Sequence, residues 1–335
     1  MSTNLVRIDT AKAPIPPFAQ PDREKLEQDL LASIEGEVRF DNGSRALYAT
    51  DASNYRQVPI GVVIPRSIED VLHTVAACRN YGAPLLSRGG GTSLAGQCCN
   101  VALVIDWSKY LNKILELNVE GKFARVQPGT ICDDVVNAAR PHSLTYGPDP
   151  ATHDHCCFGG MLGNNSCGAH AQMNGPAVNN VEELEILLYD GTRMTVGWLT
   201  EMEWVNRARQ VGREGEIYAR LLSLRQRYQS LIQERYPKII RRISGYNLDQ
   251  LIPDAEGRIN LARALIGSEG TCVTFLEAKV KLIYNHPKRV LLVLGYPDVY
   301  RAADHLMEVL PFKPIALEGI DRRLYENIEK KGGPH

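Results

Sequence analysis

The chain has no stretch approaching the roughly 20 consecutive apolar residues that a bilayer span needs. Its first residues do not run from a charged segment into an apolar one, as a secretory signal does. These two absences predict a cytoplasmic protein. An excess of one charge is also missing: 38 Lys and Arg stand against 39 Asp and Glu, for a formal net charge of −1. The overall balance therefore favours neither nucleic acid nor an anionic membrane surface, and any basic pocket has to be local. Internal repeats and low-complexity tracts are absent. The eight cysteines (78, 98, 99, 132, 156, 157, 167 and 272) contain no C-x-x-C, which leaves an iron–sulfur cluster or a zinc site without support. Two adjacent pairs occur among them, and neighbouring cysteines rarely bridge one another, so reduced thiols are expected. What remains is a composition of 44% hydrophobic and 23% charged residues, that of an ordinary globular protein. At 335 residues the chain is long enough for two domains and a substantial core.

Glycine is what the sequence has in clusters. RGGGTSLAGQ at 88–97 sets Gly89, Gly90 and Gly91 between Arg88 and the hydroxyls of Thr92 and Ser93. Residues without a Cβ reach backbone conformations that others avoid, so consecutive N–H groups can turn towards one centre and cradle an anion. The stretch is not G-x-G-x-x-G and lacks the lysine of a nucleotide-triphosphate loop, so taken alone a turn without a ligand explains it equally well. Two later clusters repeat the pattern. FGGMLGNNSCG at 158–168 places Gly159, Gly160, Gly163 and Gly168 around Asn164, Asn165 and Ser166, and GSEGT follows at 267–271. Three separated sets predict one long ligand with several polar regions. Three unrelated tight turns would account for the glycines but not for the amides and hydroxyls that accompany them.

Along the chain, AKAPIPPFAQP at 11–21 reads as a proline-rich extended arm, followed by a helix from Asp22 to Ile34. Tyr55 and Arg56 either face the site or anchor a leader on the surface. GVVIP from Gly61 is a short buried strand. The segment 67–82 has Ile68, Val71, Leu72, Val75 and Ala76 at helical spacing, with Ser67 and Asp70 as a capping pair and Gly82 as the stop. PLLS at 84–87 returns as a strand, so a β-α-β unit delivers the first glycine cluster at a strand end, and 101–108 supplies a third strand. Segments 113–118 and 123–129 read as a hairpin, 133–140 as a helix, and 183–196 as a second hairpin turning at Asp190 and Gly191. A long helix spans Gly215 to Arg235 with Ile217, Leu221, Leu222, Leu231 and Ile232 broadly on one face. Residues 262–283 read as strand, turn and long strand. After His286-Pro287 the pattern becomes strand (RVLLVLGY), helix (VYRAADHLMEVL) and strand (KPIALEGID), the start of a second domain of ferredoxin-like type.

RGGGTSLAGQ, VQPGT at 126–130, GPDPAT at 147–152, FGGMLGNNSCG, LLYDG at 187–191, SGYNLDQLI at 244–252 and IGSEGT at 266–271 carry a resemblance. In order and approximate spacing the chain resembles, from about 50 to 335, the FAD-linked oxidases of the vanillyl-alcohol oxidase and p-cresol methylhydroxylase (PCMH) superfamily. Within it, the branch containing glycolate oxidase flavin subunits, D-lactate dehydrogenases and D-2-hydroxyglutarate dehydrogenases is most similar. The resemblance implies an α+β fold: a leader at 1–50, a PCMH-type FAD-binding domain of two α/β subdomains at 51–286, and the incomplete start of a ferredoxin-like cap domain at 287–335. It implies a truncated chain, the missing cap portion being where the family carries its base.

By the same resemblance FAD is held by Arg88, Gly89, Gly90, Gly91, Thr92, Ser93, Gly96 and Gln97, by Pro128 and Gly129, and by Pro148 and Asp149. Gly159, Gly160, Gly163, Asn164, Ser166 and Gly168 join them, as do Gly267, Glu269, Gly270 and Thr271. Arg88 either contributes charge or clamps its own loop. Members that tether FAD covalently often carry histidine where Thr92 stands, so non-covalent FAD is expected. Relatives commonly have threonine where Cys157 stands. The implied reaction is oxidation of a D-2-hydroxy acid to its 2-oxo acid, with electrons passing to a quinone, a flavoprotein or an iron–sulfur centre. No metal is expected, and no catalytic base is identified. His153, His155 and His170 flank the second cluster and are weighed as surface residues. Two other readings stay open, an NADPH-dependent flavin reductase of the same architecture and an FAD-binding electron-relay subunit without turnover of its own.

Overall fold

A continuous apolar run with no polar face has to be buried on both sides, and Gly61–Ile64 and Leu103–Asp106, apolar up to its last residue, are buried at every position. In the computed structural model, which describes residues 21–239 and 241–332, they are the two central strands of a four-stranded sheet. The proline-rich arm read at 11–21 lies, but for Pro21, outside the described residues. The twelve strands among the described residues are β1 (Glu37–Arg39), β2 (Gly61–Ile64), β3 (Leu85–Arg88), β4 (Leu103–Asp106), β5 (Ile114–Asn118) and β6 (Phe123–Val126), then β7 (Leu144–Tyr146), β8 (Val181–Leu187), β9 (Arg193–Val196), β10 (Trp198–Thr200), β11 (Arg258–Asn260) and β12 (Thr274–Tyr284).

The first sheet runs β1-β2-β4-β3, with β1 antiparallel to β2 and the other pairings parallel. The helix Ile68–Tyr81 crosses from β2 to β3. The Ser67 hydroxyl accepts from the Asp70 N–H at its start, and Gly82 ends it in the left-handed conformation at φ 66°. Helix Arg23–Ser33, capped by Asp22, packs Leu26 and Leu30 into a core with Phe40, Ile60 and Val63.

The second sheet is antiparallel, in the order β5-β6-β12-β8-β9, with β7 pairing the end of β12. Both hairpins read from the sequence form, and the late strand β12 inserts between them. Helix Arg213–Arg235 lies over this half: Tyr218 and Ile232 are buried, Ile217, Leu221 and Leu222 are half-buried, and Leu231 faces out. The two sheets share a core in which Val71 and Val75 of the crossover helix, Ile105 and Trp107 meet Leu187 and Leu276. Tyr189 also donates to the Ala83 carbonyl at 2.8 Å, and Arg79 to the Asp190 carbonyl at 2.7 Å. The fold is α+β, as expected.

Three local readings are corrected. The strand expected from 262 is the helix Leu261–Leu265, because Asn260 caps it by accepting from the Arg263 N–H at 3.1 Å and Leu-Ala-Arg-Ala-Leu is a run of strong helix formers. The start of the second glycine cluster is not one of the tight turns its glycines allow but the helix Phe158–Gly163. Its apolar residues Phe158, Met161 and Leu162 recur at helical spacing and are buried, with Phe158 edge-on to Tyr146. Beyond residue 287, the strands expected at 289–296 and 313–321 are not formed among the described residues. Val290 to Val293 are at least 74% exposed. A strand needs a neighbour for its N–H and C=O groups, and apolar sequence alone does not supply one. The helix read between them forms as two short pieces, Val299–Asp304 and Leu306–Val309, and a further helix runs over Arg322–Lys330.

Candidate functional site

The helix Phe158–Gly163 has two unlike faces. Phe158, Met161 and Leu162 sink into the core, while Gly160, Gly163 and the following Asn164 share the other side and border a cleft. A Cβ added at Gly160 or Gly163 would meet no atom within 4 Å, so it would project into open space. The first glycine cluster arrives from the end of β3 and lies against the segment just before this helix. A Cβ on Gly89 would stand 2.8 Å from Cys157 Cβ, and one on Gly90 would stand 2.2 Å from the His155 carbonyl oxygen. The third cluster binds the far end of the same helix: Gly267 N–H donates to the Leu162 carbonyl at 3.0 Å and Glu269 N–H to the Gly163 carbonyl at 2.9 Å. Three stretches separated by some 70 to 100 residues thus close around a single helical turn and a half.

Of the residues singled out in the sequence, Arg88, Gly89, Ser93, Gln97, Pro128, Gly159, Gly160, Gly163, Asn164, Glu269 and Gly270 line this cleft. Ser166 and Gly267 line an adjoining cavity, which shares Gln97, Asn164 and Glu269 with the first. The rest line neither cavity. Gly90 is pressed on His155; Gly129 would place a Cβ 2.0 Å from the Trp107 carbonyl oxygen, and Gly168 one 1.6 Å from that of Asp149. Pro148 and Asp149 belong to that packed turn, with Asp149 at φ 49°. Gly91 turns over the Arg88 guanidinium, Gly96 lies on the ring of Tyr55, and Thr92 sits between Gly91 and Ser93 outside both linings. Thr271 hydroxyl donates to the Ser268 carbonyl at 2.6 Å.

Arg88 clamps its own loop. Its Nη1 donates to the carbonyls of Cys98 at 3.1 Å and Tyr48 at 3.4 Å, and the guanidinium stands over the Tyr48 ring. Tyr48 in turn donates to Asp106, and burial together with that carboxylate holds its phenol proton far above the usual range. Burial pushes the Cys157 thiol up to about 12, which makes it a packing group beneath Gly89. None of the flanking histidines lines either cavity. His153 pairs with Asp133 at 2.8 Å, His155 with Asp154 at 2.7 Å and His170 with Asp149 at 3.0 Å, and for the first two the carboxylate raises the imidazole above its ordinary value.

The sequence reading missed the apolar wall, made by Leu85 and Leu86 of β3, Trp107, Val273 and Phe275. It also missed Ile243, Ser244 and Gly245 in the second cavity. The available signal was the position of SGYNLDQLI directly ahead of the third cluster, which was read only as a point of resemblance.

The joined cavities suit a long ligand with a flat apolar part and a polar, phosphate-bearing part. Leu85, Trp107 and Phe275 offer the first environment, while Ser93, Gln97, Asn164 and Ser166 offer the second. Two buried polar atoms in the lining segments, Asn165 Nδ2 and Ser268 Oγ, have no partner among the described residues. Residues 59–197 match the family described as FAD binding domain. That segment is an FAD binding domain. Its cofactor is FAD.

The D-2-hydroxyglutarate dehydrogenase of Pseudomonas putida is 30% identical over 304 residues, 90% of this chain and 30% of that protein. Glycolate oxidase subunit GlcD of Bacillus subtilis is 26% identical over 302 residues, 88% of this chain and 53% of the relative. GlcD of Escherichia coli is 36% identical over 182 residues, 52% of this chain and 36% of its own length. The chain therefore spans about a third to a half of the length of these relatives. Among solved structures, alkyldihydroxyacetonephosphate synthase shares the fold with a TM-score of 0.58 at 17% identity, over 88% of this chain and 47% of that one. Among the described residues no helix is long and apolar enough to cross a membrane, and no group of histidine, cysteine and carboxylate side chains is placed to hold a metal.

Proposed function

We propose that FAD lies along the two joined cavities without a covalent link and serves the oxidation of a D-2-hydroxy acid of lactate, glycolate or 2-hydroxyglutarate type to its 2-oxo acid. The observation that supports this reading is the convergence of the three glycine clusters on the helix Phe158–Gly163. FAD, when bound, supplies a two-electron acceptor for the hydride on the substrate's α-carbon. The protein's part is positioning. Gly160, Gly163 and Gly270 leave room for the ligand, Ser93 and Asn164 offer hydrogen bonds, and the Leu85–Trp107–Phe275 wall excludes water. The remaining residues singled out, Gly90, Gly129, Gly168, Pro148 and Asp149 among them, hold the walls in place. Electrons then leave to a quinone, a flavoprotein or an iron–sulfur domain. We place the protein in the cytoplasm, where eight free cysteines persist.

A second reading is an FAD-binding relay whose turnover is completed by residues outside these cavities. It is favoured by the lining itself: among the described residues Arg88, Cys98, Cys167 and Glu269 are the ionisable side chains there, and none of these is a histidine or lysine suited to take a hydroxyl proton at neutral pH. Rapid mixing of the FAD-loaded protein with D-lactate, glycolate, D-2-hydroxyglutarate and NADPH decides between them. Bleaching of the flavin band by a hydroxy acid is the expected result. Bleaching by NADPH alone overturns both readings in favour of a reductase, and no bleaching by any donor leaves the relay.

A further inference from the structure

Cys132 and Cys156 are 24 positions apart in sequence and face each other in the fold. Ile131 and Cys157 form an isolated antiparallel bridge, and the Cys132 N–H donates to the Cys156 carbonyl at 3.0 Å. Residues that face each other across such a ladder bond are about 5.5 Å apart at Cα. That falls within the span of about 4.4–6.8 Å over which a disulfide closes without moving the backbone. Both side chains belong to one buried cluster, 1% and 5% exposed. The two thiols are not equivalent. The neighbouring Cys156 sulfur and burial raise the Cys132 thiol above its ordinary value, whereas the Cys132 thiol lowers that of Cys156 against the opposing effect of burial. The other cysteine beside this bridge, Cys157, has no such partner and is held protonated by burial.

We propose that Cys132 and Cys156 are a thiol pair that closes reversibly to a disulfide on exposure to hydrogen peroxide, cross-linking the floor on which the first glycine cluster rests. The Cys156 sulfur attacks one peroxide oxygen, giving a sulfenic acid and releasing the other oxygen as water. The Cys132 sulfur then attacks the sulfenic sulfur, and the displaced hydroxide leaves as water with the Cys132 proton. Two thiols and one peroxide become one disulfide and two waters. The link joins the start of the helix Cys132–Ala139 to the segment that ends at Cys157 and carries the contacts to Gly89 and Gly90. It does not depend on which substrate the flavin serves.

The test is titration of the FAD-loaded protein with hydrogen peroxide, followed by alkylation, digestion and mass mapping, in a Cys272→Ser background that removes the exposed thiol. The expected product is a Cys132–Cys156 linked peptide, two hydrogens lighter than its parts, that dithiothreitol dissolves. Cys132→Ala is expected to carry Cys156 on to sulfinic acid with no link. Because that variant could misfold, the mapping of the parent protein decides. Recovery of both peptides singly alkylated, or a sulfinic Cys156 beside an alkylated Cys132 in the parent, overturns the proposal.

Discussion

Gly90 rests its backbone on the carbonyl oxygen of His155 so closely that a Cβ would lie 2.2 Å from that oxygen. Backbone cannot move aside as a side-chain tip can, so the first glycine cluster is held by contact with protein before any ligand is considered. Gly90→Ala is expected to lower stability by about 1–3 kcal/mol, the usual cost of overpacking, and to weaken FAD binding with it. Urea unfolding of the FAD-free protein measures the first effect; an unchanged midpoint would show that the two segments are not locked together.

Gly160 is expected to behave in the opposite way. It sits inside a helix with open cleft where a side chain would go. Gly160→Leu removes a poor helix former, worth about 0.5–1 kcal/mol in favour of the fold, and fills ligand space. The expected outcome is an unfolding midpoint equal to or above the parent's, with FAD affinity lower by at least about tenfold, or about 1.4 kcal/mol. Flavin fluorescence titration reads the affinity.

Arg88 is expected to act on its loop more than on ligand charge. Arg88→Lys keeps the charge but loses the planar fork that reaches the Cys98 and Tyr48 carbonyls. Faster hydrogen exchange across 91–98 should accompany a loss of about 1–2 kcal/mol. If exchange there is unchanged while FAD binding falls, the guanidinium serves the ligand directly.

The acid limb of stability has one traceable contributor. Glu37 in β1 accepts from Lys109 and from Tyr110, whose hydroxyl is 2.6 Å away, and these partners hold its carboxyl at about 2 against an ordinary 4.5. The folded value is the depressed one, so its contribution is complete above about pH 4.5 and is lost as pH falls towards 2. Screened by water on a partly exposed side chain, it is worth about 1–2 kcal/mol. Glu37→Gln should flatten the stability curve in that window and leave its shape above pH 5 intact. A variant curve parallel to the parent's from about pH 5 down to 2 would assign the acid loss elsewhere.

Thr92 has no nitrogen with which to attach to a flavin ring. Precipitating the FAD-loaded protein with acid is expected to leave the yellow colour in the supernatant. Colour retained in the pellet would mean a covalent link through another residue.

The sequence by itself determined the local elements. The apolar spacing of 68–81 between Ser67 and Gly82, the Asp190-Gly191 turn and the unbroken apolar runs of β2 and β4 each carry their own periodicity or cap, and all form where they were read. The three glycine clusters also predicted that distant segments meet, and they converge on the helix Phe158–Gly163. Only the tertiary structure decided what each glycine does. Gly90 and Gly160 are the same residue in the same kind of motif, yet one is closed against a carbonyl and the other opens on the cleft. That distinction depends on which distant segment arrives next to each. The same reason places the flanking histidines outside the cavities and leaves Val290 to Val293 unpaired: their fate is set by neighbours far along the chain, and no local pattern records where those neighbours end up.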